Sequence, residues 1–176
     1  MHMNTVSRFF LCVLALLAFA GCNKVATVDA VRFNDELVAT GKRVSLAGMT
    51  FSVAAVKAIE GGVMEVALAK REFENVTDAL AKAQGDMKRV KVPDSPTARK
   101  FFEEHQKLLM LQEQIVNEDF KAIVKVLDDP LITTDARLKK IRPIAGYLKS
   151  IDRDQVENLK QAQAAFAREH GFKIRK

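Results

Sequence analysis

The sequence predicts an all-α protein, an antiparallel up-down four-helix bundle of long coiled-coil-like helices. Three observations carry this. Apolar residues recur at alternating spacings of three and four over most of the chain, which is the mark of a helical seam near a 3.5-residue period. Strand signals are missing: there are no alternating runs, β-branched stretches or Asn-Gly turns. The punctuation at Gly61-Gly62, Pro93 to Pro96 and Asp128-Asp129-Pro130 divides the chain into four long segments.

The first predicted helix runs from about Val25 to Ile59, with Ala26, Ala30, Phe33, Leu37, Thr40, Val44, Ala47, Phe51, Ala54 and Ala58 as its seam. Gly41 and Gly48 each cost about 1 kcal/mol of helix propensity and suit close approach of another helix. Gly61-Gly62 is read as a left-handed stop. The second helix, Val63 to Val90, places Val66, Ala69, Phe73, Val76, Leu80, Ala83, Met87 and Val90 on one stripe, with Glu72, Glu74, Asp78 and Lys82 off it. Ser95 as N-cap with Pro96 at the first position starts the third helix, which ends near Leu127. Phe102, Leu109, Val116 and Ile123 repeat there every seven residues, with His105, Gln112 and Asp119 in a parallel row. Thr134 is read as the cap of the fourth helix, which reaches His170 with Gly171 as its stop. Pro143 should kink or restart it, so a three-helix arrangement with a broken last helix is the alternative.

Ahead of these helices, Met1 to Arg8 carries one firm positive charge, and Phe9 to Ala20 is uncharged and apolar. Twelve helical residues span about 18 Å, short of the roughly 30 Å of a bilayer core. The run therefore reads as the hydrophobic part of a secretory signal. It ends in Phe19-Ala20-Gly21-Cys22. Over residues 1–22 the chain resembles the bacterial lipoproteins, whose lipobox is an aliphatic residue, a small residue, Gly or Ala, then Cys; Phe19 departs from the usual Leu. The resemblance implies cleavage between Gly21 and Cys22, diacylglycerol on the Cys22 sulfur and usually a further acyl chain on its new amino group. In enterobacterial members Asp after the cysteine retains the protein in the inner membrane. Asn23 stands there in this chain, which implies the outer membrane, facing the periplasm.

Removing 21 residues from 176 leaves a single domain of 155, large enough for a real core. The leader takes Arg8 and Cys12 with it, leaving 27 basic against 22 acidic residues and Cys22 as the one cysteine. Charges are mixed along the chain, which argues against a nucleic-acid partner. Catalytic patterns are absent: there is no nucleophile elbow, metal motif or glycine-rich phosphate loop. A di-iron bundle needs Glu-x-x-His, but Phe102 and Ala167 stand three residues before His105 and His170. No Cys-x-x-Cys-His for covalent haem occurs. A b-type haem would need His105 opposite Met87 or Met110. The expectation is a non-enzymatic envelope lipoprotein without cofactor or metal, joined to a membrane by its lipid and to an envelope protein or a second copy by its surface. The competing expectation is a periplasmic ligand- or metal-binding bundle using the His105, Gln112, Asp119 row, which could equally be a solvated edge.

Two surfaces are singled out. In the distal half of the first helix, Leu46, Met49, Val53 and Val56 form a second apolar stripe nearly opposite the seam, with Lys57 the one charge between Val44 and Ile59. Arg32, Asp35 and Lys42 occupy the same side in the first half. The stripe is either a docking surface or is covered by an irregular fold of the chain. In an up-down bundle, Lys88, Arg89 and Lys91, with Arg168, Lys173, Arg175 and Lys176, would lie at the membrane end, and Glu60, Glu65, Asp128, Asp129 and Asp135 at the other. The basic end either rests on anionic headgroups or complements helix dipoles.

Overall fold

The computed structural model describes residues 28–175 and the segment Ala18–Phe19, with side chains described for residues 28–144 and 153–173. Five α-helices account for nearly all of it: α1 (Val28–Glu60), α2 (Val63–Met87), α3 (Pro96–Gln114), α4 (Lys121–Asp128) and α5 (Thr134–Glu169). A six-residue π-helical segment, Ile115–Phe120, joins α3 to α4. Ala18–Phe19 pairs antiparallel with Ile174–Arg175 over two residues. Among the described residues no helix is long and apolar enough to cross a membrane.

The α1 seam is buried as its periodicity requires. Ala30, Phe33, Leu37, Thr40, Val44, Phe51, Ala54 and Ala58 are all inside and Ala47 is half-buried, while Ala26 lies outside the described residues. Gly41 has the predicted use. A Cβ there would lie 3.0 Å from His105 Cε1 of α3, so glycine lets the two helices approach.

The expected left-handed stop at Gly61-Gly62 is not formed; Gly171 is the positive-φ glycine of the described residues. Gly61 is required by crowding instead, because a Cβ would come within 2.6 Å of the Glu65 side chain and 2.8 Å of the Lys57 carbonyl. Gly62 is the N-cap of α2, and its N–H donates to Glu65 Oε2 at 2.9 Å. That is the backward half of a capping box.

On α2, Ala69, Val76, Leu80, Ala83 and Met87 are buried, and Val66, Phe73 and Val90 pack against them. The helix ends at Met87, three residues short of the expected Val90. Ser95 caps α3 as expected, its Oγ accepting from Ala98 N–H at 3.1 Å ahead of Pro96. The cap of α5 is Thr133, not Thr134: its Oγ1 accepts from Ala136 N–H at 3.4 Å. Pro143 lies inside α5, and the helix runs through it rather than breaking. Gly171, at φ 74°, ends α5 in a Schellman turn, with Phe172 N–H donating to Ala167 O at 3.0 Å.

α1 packs along α2 and α3 along α5. Two aromatic groups fill the space between these pairs. Phe33, Phe101 and Phe166 meet with centroids 5.2–5.9 Å apart, and Phe51 lies 4.5 Å from Phe120 and 6.0 Å from Phe73. Buried Gln163 Nε2 donates to Asn34 Oδ1 at 2.9 Å, fixing α5 against α1. At one end Lys70 reaches Asp128 at 3.0 Å; at the other Thr97 hydrogen-bonds to Glu169.

Candidate functional site

The outer face of α1 is partly open. Leu46 and Met49 are half-buried, and Val53 and Val56 are 46% and 49% exposed, while Phe51 and Ala54 on the opposite face are 0% and 4% exposed. The described parts of the chain leave Val53 and Val56 exposed and cover Leu46 and Met49 in part. The same end exposes Val63 and Met64 at the start of α2 and Leu131 in the α4–α5 turn. Met64, Ala67 and Leu68, with Glu65 and Arg71, line a shallow groove along the first two turns of α2.

The His105, Gln112, Asp119 row is not a solvated edge. His105 is 3% exposed and its Nε2 lies 2.9 Å from Thr40 Oγ1. The Thr40 hydroxyl donates its proton to Leu37 O at 2.7 Å, so the hydrogen-bond network assigns the imidazole proton to Nε2. Nδ1 is then a buried acceptor without a partner, and burial lowers the pKa of His105 to about 4. One heptad on, Gln112 Nε2 donates to Ser45 Oγ at 3.3 Å while its Oε1 is buried and unpartnered. Asp119, in the π segment, is half-buried, and burial with the neighbouring Glu118 raises its pKa. His105 and Gln112 thus meet α1 along a polar seam.

Met87 Sδ is 3.9 Å from Thr40 Oγ1, so His105 and Met87 converge on one hydroxyl. The Gly41 backbone against the imidazole leaves no room there for a porphyrin, and Met110 points outward at 67% exposure. Among the described residues no three His, Cys, Asp or Glu side chains come together to hold a metal ion.

A buried carboxylate escaped the sequence reading. Glu104 is 2% exposed and accepts from Lys100 Nζ at 2.7 Å, Lys107 Nζ at 2.8 Å and Gln155 Nε2 at 3.1 Å, joining α3 to α5. Lysines at i−4 and i+3 are a signal of such a pair, but the same spacing is common on solvated faces. The Lys100 hydrogen bond, then that from Lys107, holds the pKa of Glu104 down from 4.5 to about 2. A depressed carboxylate contributes stability that is full above its unfolded pKa and disappears as pH falls through its folded one. Glu104→Gln should therefore cost about 1–2 kcal/mol at pH 7, with the gap to wild type closing between pH 4.5 and 2 in urea titrations. A gap that stays constant across that window would refute the assignment.

Lys88, Arg89, Lys91 and Lys173 are exposed, and Arg89 and Arg43 share Asp86. The Thr97–Glu169 bond brings the α2–α3 turn and the C-terminal segment to one end. The side chain of Arg175, Lys176, and the lipobox residues Gly21 and Cys22 lie outside the described residues.

No protein-family model matches this chain, and no curated protein or solved structure is significantly similar to it.

Proposed function

We propose that the protein is a non-enzymatic envelope lipoprotein, held to a membrane through acylated Cys22, whose helical domain serves as a protein-interaction module. The signal-like run ending in Phe19-Ala20-Gly21-Cys22 supports the anchor. The observation that carries the module is the apolar stripe of Leu46, Met49, Val53 and Val56, half-buried at its first two residues and exposed at Val53 and Val56, on a helix whose opposite face is largely buried, since exposed apolar surface of this kind marks an interaction site. The domain is read as an up-down four-helix bundle in which α3, the π segment and α4 form one rod. The ties between Lys70 and Asp128, and between Thr97 and Glu169, support that order. The anchor would set the basic end near the headgroups and the stripe away from them.

Two measurements test this. Labelled fatty acid should enter the wild-type protein and not Cys22→Ser; equal labelling would end the lipoprotein reading. Met49→Asp with Val53→Asp should leave helicity and cooperative unfolding intact while abolishing capture of the partner. Loss of the unfolding transition would make the stripe core rather than surface.

The unpartnered buried acceptors His105 Nδ1 and Gln112 Oε1 favour a second reading, in which the α1–α3 seam takes up a small donor-bearing ligand. Purified protein that releases a stoichiometric small polar ligand on denaturation, detected by mass spectrometry, would establish it in place of the first.

A further inference from the structure

The outer row of α1 extends beyond its four apolar residues. Lys42, Leu46, Met49, Val53, Val56 and Glu60 follow one another at steps of four, three, four, three and four, an unbroken heptad seam. Lys42 and Glu60 are eighteen residues apart, five whole turns at about 3.6 residues each, and so lie on one line at the two ends of the apolar stretch. Both are exposed, and the row between them spans about 27 Å.

This row is symmetric in position about residue 51. Leu46 and Val56 are equidistant from it, as are Met49 and Val53, and as are Lys42 and Glu60. A two-fold axis through that point lays the row antiparallel against itself: Leu46 meets the partner copy at position 56, Met49 meets it at position 53, and Lys42 faces the acidic end of the other helix. Both ends then carry opposite charges, and the middle is wholly apolar. Parallel pairing would set Lys42 against a lysine and Glu60 against a glutamate, so the charges select the antiparallel register. An interface whose residue i meets j while j meets i is the isologous contact of a two-fold dimer. Before Lys42 the row is broken by Asp35, and in the antiparallel register it runs past the partner's Gly61-Gly62 turn, which limits the contact to residues 42–60.

We propose that the occupant of this face is a second copy of the same chain, paired antiparallel along α1 with Lys42 of each copy opposite Glu60 of the other. The inference rests on the stripe being an interaction surface and names what it binds.

The experiment uses full-length protein in the cells that make it. Copies bearing Lys42→Cys and copies bearing Glu60→Cys, differently tagged, are treated with a short thiol crosslinker singly and together, with the parent chain as the control for Cys22. The expected result is a cross-linked dimer only when both variants are present. Self-linking of Lys42→Cys alone would overturn the register, and no link in any combination would overturn self-association. Neither failure touches the interaction-surface reading, which falls only if the Met49→Asp, Val53→Asp protein unfolds. In sedimentation, Lys42→Glu should weaken the dimer about 10-fold, and adding Glu60→Lys should restore it; a double variant as weak as the single would also overturn the pairing.

Discussion

Truncating Phe166 to alanine should remove about 3–5 kcal/mol of stability, the largest loss expected of any substitution considered for this chain. The side chain is 0% exposed and meets Phe33 of α1 at 5.2 Å, Phe101 of α3 at 5.7 Å and Phe172 of the Schellman turn at 5.7 Å. Three segments lose contacts together, and a cavity enclosed by aromatic rings held on separate helices cannot collapse cheaply. Urea unfolding followed by helical circular dichroism measures the loss. Met110→Ala, at a site 67% exposed, is the matched control and should change stability by less than about 0.5 kcal/mol. A Phe166→Ala loss below about 1 kcal/mol would contradict this packing.

Replacing Gln163 with leucine should cost about 2 kcal/mol, for a different reason. Gln163 and Asn34 are each 1% exposed, and the bond between them crosses the domain from α5 to α1. Leucine fills the space but leaves Asn34 Oδ1 in the core without that donor. The Asn34 amide still reaches Asp35 Oδ1 at 3.1 Å, so the penalty concerns the carbonyl oxygen. Asn34→Leu combined with Gln163→Leu should recover much of the loss, because apolar replacement of both partners leaves no orphaned group. A double-mutant cycle checks this: strictly additive losses would show that the two side chains do not act as a pair.

The helical class and the inner faces were legible because burial of a helix leaves a period, and the seams of α1 and α2 carry it cleanly. What the sequence concealed was mostly polar. Asn34, Glu104 and Gln163 use the same residue types as a solvated surface, and only the partner across the interface distinguishes them. His105 and Gln112 read equally well as an edge or a ligand row, and Thr40 and Ser45 on α1 decide that they face inward. Glu72 was placed off the α2 stripe, yet it is 9% exposed, held by Asn75 at 2.8 Å and Arg71 at 3.1 Å. The π segment left no trace, because the extra residue taken up by its wider turn shifts the phase of the buried face while the spacings remain threes and fours. Gly61-Gly62 marked the right boundary by a different mechanism, since crowding from Glu65 and Lys57 excludes a side chain just as surely as a positive φ does. On the outer face of α1 the stripe was visible in sequence, but only the fold could show that, among the described residues, Val53 and Val56 stay exposed while Leu46 and Met49 are half-buried.

The two-residue link between α1 and α2 has a kinetic consequence. Closing so short a loop costs little entropy, and the contact it permits runs along the full length of α2, so this hairpin can form from local encounters alone. The last helix is in the opposite position: its Gln163 must find Asn34 across 129 residues of chain. Docking of α5 is therefore expected as the late event and its release as the early step of unfolding. Interactions made after the rate-limiting barrier govern the lifetime of the native state rather than the speed of reaching it. The losses caused by Phe166→Ala and Gln163→Leu should accordingly appear as faster unfolding at nearly unchanged refolding rate, which makes α5 the latch that sets how long the folded protein endures.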